Sequence, residues 1–314
     1  MKKTLVLALL IIIGFFITDR LAYSALRYLD KNVFTGQTTG KANQFLKIKD
    51  SVQTLVFGSS RANHHVVINE LDSTGFNMGL NATKIAFATT LINTLNKKNQ
   101  NIFVHIDQNS LLNASDSYDG GDCLGLINHA SSNKAIREVL KELFPEEIII
   151  TYFSNSYMYN GKVLGTIKNY FHPSYNYRNY DGFDPIVPTA NQKKVFLGLW
   201  NSQGRDSIGY HEKISVNPLT ASLIEKMHKK CLENQSNLIF FTSPTLNQIN
   251  PELVTQTQQF FKSKNITYLD YTHLYTDFNP DYWKDLTHLS ETGAKEFTKK
   301  LKEDFLLHTK SGNK

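Results

Sequence analysis

Three side chains of the kinds used in nucleophilic catalysis stand near opposite ends of this chain. Ser60 closes the run Leu55-Val56-Phe57-Gly58-Ser59-Ser60, and Asp285 and His288 share the short stretch Asp285-Leu286-Thr287-His288. A serine hydroxyl becomes a nucleophile only when a base of near-neutral pKa takes its proton. The imidazolium formed then needs a carboxylate to orient and stabilise it. Ser60 as nucleophile, His288 as base and Asp285 as its partner meet that requirement. Taken alone, the serine segment also fits a helix with an ordinary Ser N-cap, and it is the distant Asp-x-x-His that gives it a chemical reading.

These residues need elements to hold them. Thr54 to Phe57 is a short apolar run of β-formers that suits a buried strand, and Gly58 permits a tight turn into a helix whose first N–H groups are unpaired. Phe76-Asn77-Met78 reads as a short second strand, residues 83–96 as a helix with Ile85, Ala88, Ile92 and Leu95 on one face, and 101–106 as a third strand. Further along, helices over 219–232 and 252–262 alternate with strands over 238–242 and 267–270. A final helix has Ser290 as its cap and Ala294, Phe297, Leu301 and Phe305 as its buried stripe. The pattern predicts an α/β fold, a doubly wound α/β/α sandwich around a five-stranded parallel sheet.

Between residues 108 and 217 the alternation stops, which predicts an insertion or cap with elements of its own. Its clearest helix is 133–144, where Ile136, Val139, Leu140 and Leu143 keep helical spacing. Tyr152 to Tyr180 mixes aromatics with amides, a composition that suits either a carbohydrate-binding rim or plain cap packing. The insertion is expected over the carboxyl ends of the strands, beside Ser60.

With the serine turn first and Asp-x-x-His last, the chain resembles the SGNH, or GDSL-like, hydrolase superfamily over roughly residues 50–305. Gly58-Ser59-Ser60 stands where the family carries Gly-Asp-Ser, and Asn77-Met78-Gly79 resembles the second block. The resemblance implies Ser60, Asp285 and His288 as catalytic residues, with the N–H groups of Ser60 and Gly79 as oxyanion donors. In the third block His105-Ile106-Asp107-Gln108-Asn109 replaces Gly-x-Asn-Asp, so Asp107 stands in place of the family's Asn donor. The nearest subgroup is the membrane-anchored, bacterial cell-envelope proteins with a Gly-Ser-Ser-Arg block, whose relatives accompany membrane O-acyltransferases.

The N-terminus fits that setting. Lys2-Lys3 precedes an apolar run from Leu5 to Ile17, and no small-x-small cleavage site follows directly, so an uncleaved signal anchor over 1–25 is expected. Positive residues remaining inside would place the rest of the chain outside the cytoplasm. The expected layout is a polar stalk over 26–49, the SGNH-like domain over 50–107 and 218–308 around the insertion, and a tail over 309–314. The net charge of +6 comes from lysines scattered along helix faces, and no nucleic-acid partner is expected. Cys123 and Cys231 have no metal-ligand spacing and read as unpaired structural thiols. No Walker loop or dinucleotide glycine fingerprint occurs, and no cofactor or metal is expected.

The expectation is an envelope-facing esterase or O-acyltransferase acting on acyl groups, acetyl foremost, of a glycan through an acyl-enzyme on Ser60. The alternative is a non-catalytic SGNH-like subunit that binds polysaccharide or partners a membrane O-acyltransferase.

Overall fold

A computed structural model describes residues 1–115, 117–203, 205–210, 213–275 and 277–311; the last three residues of the expected tail lie outside the described residues. In chain order the principal elements are α1 (Lys2–Lys31), α2 (Lys41–Ile48), β1 (Thr54–Phe57), α3 (Ser60–His65), β2 (Phe76–Asn77), α4 (Ile85–Ile92), β3 (Asn101–His105), α5 (Lys134–Leu143), α6 (Pro145–Phe153), α7 (Val163–Phe171), α8 (Pro218–Glu233), β4 (Asn237–Thr242), α9 (Pro251–Ser263), β5 (Thr267–Asp270) and α10 (Glu291–Ser311). They fall into two compact units, one formed by Met1–Lys47 with Cys123–Asn179 and the other by Ile48–Asp122 with Tyr180 onward.

In the second unit the five strands form one sheet in the order β2-β1-β3-β4-β5, every neighbouring pair parallel. This order is compatible with a flavodoxin-like fold. All four residues of β1 are buried, as expected of a parallel strand covered on both faces. Alternate side chains divide between those faces. Phe241 packs on Phe297 of α10 with ring centroids 6.1 Å apart, and its neighbour Phe240 packs on Phe261 of α9 at 4.7 Å. Helices therefore flank the sheet on both sides. Helix α4 has every residue buried, and α10 buries the stripe Ala294, Phe297 and Leu301. Several helix starts follow their caps: Asn217 Oδ1 accepts from Thr220 N–H at 2.9 Å, and Ser290 Oγ accepts from Gly293 N–H at 3.2 Å.

The first unit gathers residues from segments expected to be separate. The stretch expected as a polar stalk is folded: α2 buries Ala42 and Phe45, and Asp30 at the end of α1 is buried. The Asp30 carboxylate accepts from Asn43 Nδ2 at 3.4 Å and Asn128 Nδ2 at 3.1 Å, and Lys162 Nζ donates to Asn128 Oδ1. Polar residues that look solvated in sequence are here satisfied by one another. The expected insertion is accordingly shared, with 123–179 in the first unit and 108–122 and 180–217 in the second. Its helix forms as α5, with Asn133 Oδ1 accepting from Ile136 N–H at 3.2 Å. Cys123 and Cys231 are both buried, and burial pushes the Cys231 thiol up to about 12.

Candidate active site

Ser60 is the first residue of α3, directly after the turn that leaves β1. Gly58 makes that turn at φ +139°, and a Cβ there would lie 2.8 Å from His105 Cβ and 2.9 Å from Ala62 Cβ, so only glycine fits. Ser59 occupies the cap position, but its side chain makes no capping hydrogen bond. The Ser60 N–H, at the first helical position, has no partner within the helix.

Asp285 and His288 lie on a narrow loop closed by an antiparallel bridge between Trp283 and Leu289 and by Lys284 N–H donating to His288 O at 2.9 Å. Within it Asp285 Oδ1 accepts from the backbone N–H groups of Thr287 and His288 at 2.9 and 2.8 Å. That turn carries the carboxylate alongside His288 Nδ1, which lies 3.0 Å from Oδ1 and 3.1 Å from Oδ2. Burial by itself would raise the Asp285 pKa, but hydrogen bonds from the His288 ring and the loop N–H groups outweigh it and hold the carboxyl well below the usual range. With Nδ1–H donated to that carboxylate, Nε2 keeps its lone pair and stands 2.9 Å from Ser60 Oγ. The hydroxyl, the imidazole and the carboxylate thus form one connected line, and the His288 side chain keeps 26 % exposure.

The residues expected to stabilise an oxyanion are arranged differently. The Gly79 N–H donates to Asn77 Oδ1 at 2.8 Å, and Gly79 packs so tightly on α3 that a Cβ would fall 2.4 Å from Asn63 N. Its amide is therefore engaged within its own loop. Asp107, half-exposed beside Ser60, forms an ion pair with Arg61 at 2.5 Å. Burial would raise its pKa, but the Arg61 guanidinium prevails and keeps it an acceptor-only carboxylate, not the donor that an Asn would supply.

Behind these groups lies a buried network that the sequence reading missed. Arg61 Nε donates to Ser243 Oγ at 3.1 Å and Arg61 Nη2 to Pro244 O at 3.1 Å. Ser243 Oγ also contacts His65 Nδ1 at 2.9 Å and His105 Nε2 at 3.2 Å, and His65 Nε2 accepts the Leu289 N–H at 3.0 Å. The chain of partners fixes the tautomer: Nε2 of His65 is an acceptor, so Nδ1 carries the proton toward Ser243. His65 is fully buried. Burial pushes His65 well down, and it also lowers His105, to about 3. The sequence signal was the position of Ser243-Pro244 immediately after a strand, where ligand sites of such sheets gather.

Two cavities meet at Ser60. One, of about 300 Å³, extends from Gly58 and Ser59 past Ile85, Ala88 and Ile106 to Lys84 and Tyr118. The other, of about 350 Å³, is lined by His288 and by amides and hydroxyls, among them Gln108, Asn109, Asn247 and Thr272. Ser59, Ser60, Asp107 and Ser110 border both. Among the described residues, Asn109 Oδ1 and Asn247 Oδ1 are buried without a hydrogen-bond partner. The expected insertion contributes Gln108, Asn109, Ser110, Tyr118 and Ile208 to these linings, and none of the lining residues comes from the aromatic stretch 152–180. Among the described residues no group of His, Cys, Asp and Glu side chains is arranged to hold a metal ion. No protein-family model matches the chain, and a search of curated proteins gives no match.

Proposed function

We propose that this chain is an SGNH-type serine esterase or O-acyltransferase acting on acyl groups, acetyl foremost, of a glycan. The single observation that carries the reading is the line Ser60 Oγ to His288 Nε2 at 2.9 Å and His288 Nδ1 to Asp285 Oδ1 at 3.0 Å. His288 takes the Ser60 proton as Oγ attacks the acyl carbonyl, and the imidazolium returns that proton to the departing alcohol oxygen. The acyl group then sits on Ser60 until water, or a second sugar hydroxyl, attacks it with His288 again as base. The small cavity with Ile85, Ala88 and Ile106 suits the acyl group. The amide- and hydroxyl-lined cavity suits a neutral sugar, whose hydroxyls would satisfy Asn109 Oδ1 and Asn247 Oδ1. In this proposal the domain is a doubly wound sandwich with a mid-chain insertion. It faces outward from a bacterial membrane on the helix α1, which is long and apolar enough to cross one.

The test is labelling of the full chain with a fluorophosphonate probe. Wild type should label on Ser60, and Ser60→Ala should not; absence of labelling in folded wild type would refute the acyl-enzyme. A second reading has an observation in its favour. The Gly79 N–H is engaged with Asn77 and an acidic Asp107 stands where an oxyanion donor would be needed, which suits a non-catalytic subunit that binds polysaccharide or a membrane O-acyltransferase.

A further inference from the structure

Two adjacent helices of the first unit present opposite kinds of surface. Helix α5 buries Ile136, Val139 and Leu140 and turns outward Lys134 and Glu138, whose side chains are 88 % and 65 % exposed. That is the ordinary amphipathic arrangement. Helix α6 buries Ile148 and Thr151 and turns outward Ile149, Ile150, Tyr152 and Phe153, which are 53, 40, 64 and 64 % exposed. Past its acidic first turn of Glu146 and Glu147, the outer side of α6 carries no charge.

The position of this apolar face is set by Asp19. Its Oδ1 accepts from Ser154 Oγ at 2.7 Å and from Ser156 N–H at 3.1 Å, and its Oδ2 accepts from Asn155 N–H at 2.9 Å. Arg20 Nη1 supplies a further donor at 2.7 Å, and Arg20 Nη2 reaches Tyr152 O at 3.4 Å. The carboxyl end of α6 is thus fastened to α1 immediately beyond Ile17, where the strictly apolar run stops. From Leu5 to Ile17 that run rises only about 20 Å, against about 30 Å of bilayer hydrocarbon. A membrane crossed by α1 would therefore extend past Asp19 to the level of α6. The Asp19 carboxylate, satisfied on both oxygens by its neighbours, is prepared for such a place.

We propose that α6 is a membrane-seated foot: its face of Ile149, Ile150, Tyr152 and Phe153 lies in the interfacial layer of the bilayer that α1 crosses. The occupant of this face is lipid. The Tyr and Phe at the end of α6 match the aromatic preference of the interface. The proposal rests on α1 spanning the membrane and is independent of the chemistry at Ser60.

The full chain is reconstituted in vesicles of phosphatidylethanolamine and phosphatidylglycerol with one nitroxide at a time, on Ile11→Cys, Ile149→Cys, Phe153→Cys or Glu138→Cys. The native Cys123 and Cys231 are 0 % and 1 % exposed and resist labelling. Collision with oxygen, which concentrates in lipid, is compared with collision with a water-soluble nickel chelate. The ratio at 149 and 153 should be severalfold above that at 138 and approach that at 11. Values at 149 and 153 equal to that at 138, with 11 lipid-like, would overturn the foot and leave the anchor. A water-like 11 would remove both. Labels at 149 and 153 shielded from both reagents would show a protein surface covering α6 and would also overturn the lipid assignment.

Discussion

His65 Nε2 accepts the backbone N–H of Leu289 at 3.0 Å. Leu289 follows His288, so a fully buried side chain of α3, the helix that begins with Ser60, holds the loop that carries the proposed base. Nucleophile and base are therefore registered to each other twice, once through Ser60 and His288 and again through His65 and the backbone. Substitution of His65 by Ala orphans the Leu289 N–H and should cost about 1–3 kcal/mol from that group alone. Thermal unfolding and the rate of fluorophosphonate labelling should both fall, and labelling at the wild-type rate would show that this contact does not position His288.

Ser60→Ala should abolish labelling while leaving the melting temperature unchanged, because a half-buried residue on a turn contributes little packing. Asp285→Asn should retain the loop but lose the charge that holds the His288 tautomer, slowing acylation by about 10³–10⁴-fold. Equal labelling of Asp285→Asn and wild type would contradict the role of the carboxylate.

Gly58→Ala tests the turn. The backbone stands at φ +139°, and the added methyl would meet His105 Cβ at 2.8 Å. Strain from the dihedral alone should cost about 1–3 kcal/mol, and displacement of Ser60 should remove labelling in whatever fraction folds. A variant with wild-type stability in chemical unfolding would show that the turn is less constrained.

Acid should weaken the fold through the buried histidines. His105 titrates near 3 when folded and at the ordinary 6.5 when unfolded, so both states are neutral above 6.5. As pH falls below that value only the unfolded chain takes the proton, and stability drops by up to about 1.4 kcal/mol per pH unit until the folded pKa is reached. In His105→Asn this loss is absent. The difference in melting temperature between wild type and His105→Asn should therefore shrink as the pH is lowered from 7 to 4.5, and a constant difference would argue against a neutral buried His105.

The sequence by itself determined the parallel α/β sheet. Short apolar runs such as Thr54–Phe57 and helical stripes such as Ala294, Phe297 and Leu301 are local patterns, and local patterns encode which faces must be buried. It also singled out Ser60, Asp285 and His288, since a glycine turn after a strand and an Asp-x-x-His loop are short-range features that a parallel sheet delivers to its carboxyl edge. Tertiary structure alone decided the rest. Asp30, Asn128 and Lys162 look like solvated residues of a stalk and an insertion, and only hydrogen bonding to one another and to the half-buried Asn43 lets them be interior. The placements of His65, Ser243 and Arg61, and the engagement of the Gly79 amide with Asn77, follow from contacts between residues distant in the chain or from close backbone approach. Periodicity carries no information about such partners, because hydrogen bonds are directional and depend on where each donor finally stands.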